Sequence, residues 1–162
     1  MKKISICIGI FLALSMSRFI PHPPNFTSLI ALSFYVPVFL GLRYLPILII
    51  SYVITDLVIG YHTGTHWDWG SIFLIGLVAP LFSKNFMTRF GGALLGACIF
   101  FVITNFGVWI SGMYDITLDG LILCYTLAIP FFAYSLISTL FFSVIIEIIF
   151  NLLKLKIIIS NQ

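Results

Sequence analysis

From Gly120 to Phe150 the chain carries one charge, Glu147, in a stretch that is otherwise almost wholly apolar. As one helix it would measure roughly 46 Å at 1.5 Å per residue, against a hydrocarbon core of about 30 Å. A soluble domain would have to wrap such a stretch in a polar coat. With 61% hydrophobic and 8% charged residues the chain has no such coat to offer, since ordinary globular domains carry about 25% charged residues. A soluble enzyme, a secreted disulfide domain and a disordered chain are excluded. The composition predicts one all-α integral membrane domain over residues 1–162, a polytopic helix bundle.

Further apolar runs cover residues 4–17, 28–41, 44–60, 71–82 and 90–110. The connection Pro21-His22-Pro23-Pro24-Asn25, Arg43, the loop Tyr61–Gly70, Ser83-Lys84-Asn85 and the loop Ser111–Asp115 divide them. Pro130 removes a backbone donor and clashes with the preceding turn. It therefore predicts a break between a short rim helix, Leu118–Ile129, and a last span, Pro130–Leu152. The expectation is a bundle of about six spans, with the second and fourth short for full crossings.

The charges set the orientation. With the N-terminus inside and an even number of crossings, every one of the 8 Lys and Arg except Arg18 falls on the cytoplasmic side, as the positive-inside rule asks. Asp56, Asp68, Asp115, Asp119, the histidines and the tryptophans then gather at the outer end. Both termini are expected inside a bacterial cytoplasmic (inner) membrane, with the chain multi-pass. Lys2-Lys3 and the following apolar stretch have the look of a signal peptide, but Arg18 and the missing A-x-A site predict a retained span. Cys7, Cys98 and Cys124 lie in apolar runs at no spacing that suggests a disulfide or zinc framework. No clustered basic face points to nucleic acid.

Ionisable groups at membrane depth are costly and rare, and they face a partner or a wet cavity. Arg18 and Asp56 lie at similar depth. They form either a pair that braces a ligand pocket or a pair that ties two helices together. His22 and Asn25 sit in the stiff Pro-rich connection. Thr104 and Asn105, near the outer end of the fifth run, either bond a neighbouring helix or point into a cavity, with Tyr114, Asp115 and Asp119 at its rim. Tyr125, Pro130, Phe131, Phe132 and Tyr134 offer an aromatic wall. His22, His62, His66 and Asp68 are weak candidates for a metal, because Gly64 disfavours the helix that a His-x-x-x-His pair needs. Trp67 and Trp69 suit the headgroup belt.

Ser5, Gly9, Ala13 and Ser17 recur every fourth residue. Gly92 with Gly96, and Ala93 with Ala97, repeat the pattern in the fifth run. Such stripes let helix backbones approach closely in lipid, either within the chain or against another membrane protein. No hydrolase elbow, zincin motif or phosphate-cradling loop is present. The chain is therefore not expected to be an enzyme, and no cofactor is implied.

The segment Arg18-Phe19-Ile20-Pro21-His22-Pro23-Pro24-Asn25-Phe26-Thr27 is distinctive. With Thr55-Asp56-Leu57, Thr104–Trp109 and Ala128–Phe132 it resembles a family of small uncharacterised bacterial membrane proteins, and that likeness implies no established activity. In size, topology and the Ser5–Ser17 stripe the chain also resembles the S components of energy-coupling-factor vitamin transporters, although their Ala-x-x-x-Ala motif is missing. That resemblance implies capture of a vitamin or metal ion from outside. It also implies docking, through Ser5, Gly9, Ala13 and Ser17, on a transmembrane coupling protein with ATPase subunits. On this reading Arg18, His22, Asn25, Asp56, Asn105 and Trp109 contact the small-molecule ligand. The rival expectations are an assembly or stability factor of a membrane complex, and a metal-handling protein.

Overall fold

A computed structural model describes residues 2–61 and 64–160, with side chains for 4–61 and 64–153. The described residues form six α-helices and no strand: α1 (Lys2–Phe19), α2 (Leu29–Leu40), α3 (Leu45–Ile59), α4 (Thr65–Val78), α5 (Phe86–Val108) and α6 (Leu118–Ser160). Short 3₁₀ turns at Leu42–Tyr44 and Ala79–Phe82 join α2 to α3 and follow α4. A wider turn, Trp109–Met113, closes α5. Three segments, Leu42–Ile59, Phe86–Met113 and Leu118–Leu153, are long and apolar enough to cross a membrane. Ile4–Phe19 and Leu29–Leu40 are shorter apolar helices.

The helix α2 is the hub. Leu29 through Pro37 are all buried, and α2 packs against α1, α3, α4, α5 and α6. A helix that is apolar all round belongs in such a position. Around it, α1 packs on α3, α3 on α4, α4 on α5 and α5 on α6. Close approach depends on glycine where α5 meets α2: a Cβ on Gly92 would lie 2.6 Å from Phe34 Cε2 and 2.7 Å from Phe82 Cβ. The small-residue stripe of α5 therefore packs inward. That of α1 does so only at Ser17, whose hydroxyl meets Ser28 at 2.7 Å; Ser5, Gly9 and Ala13 are exposed.

Two expectations are corrected. Pro130 does not break the last stretch, and α6 runs as one helix of 43 residues through it, about 65 Å long. Proline frees one carbonyl, whereas ending and restarting the helix would strand several backbone groups. Leu127-Ala128-Ile129 supplies no capping side chain for a restart, and apolar surroundings tolerate a proline better than an uncapped end. The second correction is at α4, which begins at Thr65 rather than Ser71. Thr65 and Ser71 are both fully buried there, and Asp68 stands in the first turn, where a carboxylate complements the helix dipole. Half of the expected polar loop is thus helix, and His66 rides on it. His62 lies outside the described residues.

Candidate functional site

Arg18 occupies the last turn of α1 and reaches α3. Its Nη2 lies 2.6 Å from Asp56 Oδ1. Its Nη1 donates to Thr55 Oγ1 and, at 3.4 Å, to the Tyr52 carbonyl. The guanidinium also sits 4.4 Å from the centre of the Tyr52 ring. Asp56 Oδ2 accepts a 2.6 Å hydrogen bond from the Trp69 indole of α4. Both carboxylate oxygens are therefore used, and the pair is nearly enclosed, at 13% and 6% side-chain exposure. Tyr52, Thr55 and Asp56 share one face of α3 because residues three and four apart stack on a helix.

The connection between α1 and α2 follows Arg18 and shares the cavity lining with it through His22, Asn25 and Thr27. Asn25 takes a left-handed conformation, φ 61°, which asparagine tolerates better than most residues. The turn is held by Phe26 N–H donating to the Pro23 carbonyl at 3.0 Å and Thr27 N–H donating to the Asn25 carbonyl at 3.1 Å. Ser138 of α6 donates to the Asn25 carbonyl at 3.3 Å, and Phe26 lies against Phe141 and Phe142. The connection thus reaches across to α6 at the level of Ser138.

Beside this connection lies a cavity of about 530 Å³. Arg18, His22, Asn25, Thr27, Asp68, Thr104, Asn105 and Ser135 give it polar edges. Tyr52, Phe100, Phe101, Tyr114, Phe131 and Phe132 give it aromatic walls. Asn105 Nδ2 donates to its own helix at the Phe101 carbonyl (2.7 Å), and Thr104 Oγ1 to the Phe100 carbonyl (2.9 Å), so neither amide nor hydroxyl is spent on a neighbouring helix. Tyr125 braces α6 on α5 through a 2.6 Å bond to the Val102 carbonyl.

Of the residues expected at a ligand, the structure gathers Arg18, His22, Asn25 and Asn105 on the cavity wall. Asp56 stands behind Arg18 as its counter-ion. Trp109 is not on the wall: its indole donates to the Asp115 carbonyl at 3.0 Å, and its ring leans on Phe106. Trp67 packs on Phe106 and against Gly107. Among the described residues no group of three or more His, Cys, Asp or Glu is placed to hold a metal ion. Sequence reasoning missed Tyr52, Ser135 and the Trp69–Asp56 bond. Tyr52 was within reach, one turn before Asp56 on the same face; Trp69 was not, because α4 starts earlier than its apolar run.

Sequence reasoning also missed a second ion pair, away from the cavity wall. Arg89 of α5 grips Glu147 of α6 with both ends of its fork: Nε to Oε1 at 2.5 Å and Nη2 to Oε2 at 2.7 Å. Glu147 is 3% exposed, and the Arg89 guanidinium also lies 5.2 Å from the centre of the Phe39 ring.

No curated protein and no solved structure matches the chain. A family model does match, over residues 1–160, and its description is that of a family of unknown function. The chain belongs to that family, DUF6580.

Proposed function

We propose that the chain is the substrate-capture subunit of a transporter, similar to an S component, and carries out no reaction of its own. The observation that carries this reading is the cavity of about 530 Å³ beside Arg18. Its size falls in the range of ligand sites, and its polar edges beside aromatic walls suit orienting a small organic solute. A vitamin-sized molecule fits this lining better than a bare metal ion, for which the described residues offer no ligand cluster. On this reading the chain crosses a bacterial cytoplasmic membrane about six times, with both termini inside and the cavity facing out.

With no nucleotide-binding motif in the chain, energised movement would need a transmembrane coupling protein with ATPase subunits. The exposed Ser5, Gly9 and Ala13 of α1 supply a face on which such a partner can pack closely. The same exposed face also supports a second reading, in which the chain is an assembly factor for a membrane complex. Crosslinking in cells separates the two: recovery of a transporter subunit favours the first, a stoichiometric non-transporter partner the second.

The test of the capture reading is a thermal-shift screen of the detergent-purified chain against vitamins and divalent metals. Saturation at 100 times Kd adds about 2.7 kcal/mol. A response in the wild type that disappears in Arg18→Ala and in Asn105→Leu, with folding retained, is expected. No response to any compound overturns the reading.

A further inference from the structure

The polar residues of α6 do not stop at the cavity. Ser135 lines it, and Thr139, Ser143 and Glu147 follow at four-residue steps, each step advancing about 6 Å along the helix. All are buried: Ser135 3%, Thr139 0%, Ser143 1% and Glu147 3% exposed. A hydroxyl buried inside the bundle needs a partner there. Thr139 Oγ1 and Ser143 Oγ have no hydrogen-bond partner among the described residues. Tyr35 of α2, 1% exposed, brings its hydroxyl close to Ser143 and Glu147, yet it too makes no hydrogen bond of ordinary geometry. An unpaired buried hydroxyl costs about 1–3 kcal/mol. Thr139 is followed by Ser143, and Ser143 by the Tyr35 hydroxyl and Glu147, so polar groups continue from the cavity to the Arg89–Glu147 pair.

We infer that the cavity continues along α6 as a hydrated seam, passing Ser135, Thr139, Ser143 and Tyr35 and ending at the Arg89–Glu147 pair. The ligand of the seam is water. Buried water sits where two to four polar groups converge, and it satisfies groups that have no protein partner. The seam gives Glu147 a polar connection to the cavity from the Arg18 end, while the bidentate grip of Arg89 closes the other end. A carboxylate at membrane depth with a hydrated approach is the arrangement by which proton and ion paths are built. The inference draws on the proposed function only through the cavity, and its test keeps the two separate.

The experiment is substituted-cysteine labelling of the full chain in liposomes, with Cys7, Cys98 and Cys124 replaced by alanine. The probe is a small water-soluble methanethiosulfonate. Ser135→Cys reports the cavity, and Thr139→Cys and Ser143→Cys report the seam. Ile137→Cys and Val144→Cys, whose parent residues are 53% and 44% exposed on the outer surface of the bundle, report the lipid face. Labelling at 139 and 143 at least about tenfold faster than at 137 and 144 is expected, because thiols react as thiolates in water. Reaction at 135 with none at 139 or 143 overturns the seam and leaves the cavity standing; no reaction at any of the three removes both. Hydroxyl-radical footprinting of the wild-type chain covers variants that fail to fold. Oxidation of Tyr35 is expected, and an unmodified Tyr35 beside oxidised cavity rings contradicts the seam.

Discussion

Among the described residues two arginine–carboxylate pairs link helices of the bundle, and they are built for different work. Arg89 spends both ends of its fork on Glu147, and the pair stands away from the cavity wall. Arg18 gives Nη2 to Asp56 and Nη1 to both Thr55 and the Tyr52 carbonyl, and itself forms part of the wall. The second oxygen of Asp56 goes to Trp69. One pair fastens α5 to α6. The other holds a cation in place beside an open space, with three helices sharing the cost of keeping it there. A buried arginine–carboxylate pair is therefore no sign of function by itself; what the guanidinium faces decides.

The sharpest way to break this contrast is to remove one partner from each pair. Glu147→Ala strands a buried guanidinium and should cost about 3–5 kcal/mol in chemical unfolding from detergent micelles. Arg89→Ala should cost nearly as much, and the double variant less than the sum, since the singles leave a charge unpaired. Arg18→Ala should cost less, about 1–3 kcal/mol, because water in the cavity can solvate Asp56. Equal costs at the two sites would dissolve the distinction. Trp69→Phe removes one hydrogen bond to Asp56 while Arg18 remains; about 1–2 kcal/mol is expected in the same assay. The smallest effect belongs to the exposed stripe of α1. Gly9→Val, on open surface, should change stability by no more than about 0.5 kcal/mol. Gly92→Val, against Phe34, should cost about 1–3 kcal/mol through overpacking. If Gly9→Val keeps stability yet abolishes crosslinks to a partner, the exposed stripe is the docking face.

How much of this was legible beforehand follows from the same residues. Arg18 and Asp56 stood out because isolated charges in apolar runs are rare and their depths could be compared by counting. Asn25 and His22 stood out because prolines stiffen their connection. The partner of Glu147 was not legible. Arg89 was visible, but reading Pro130 as a break left the end of the last stretch with no fixed position relative to α5. The Trp69 bond was hidden for a similar reason: α4 begins in sequence that looks like loop, and only its buried Thr65 and Ser71 show why. The two stripes share one spacing. Periodicity alone cannot tell a glycine that meets Phe34 from one that meets nothing.

The central claim is that the space beside Arg18 holds a small solute. Native mass spectrometry of the purified chain, released from detergent after incubation with the vitamin panel, tests it most directly. A bound mass of vitamin size is expected on the wild type and absent from Arg18→Ala and Asn105→Leu. The bare chain mass under every condition, or an adduct that persists unchanged in both variants, would contradict it.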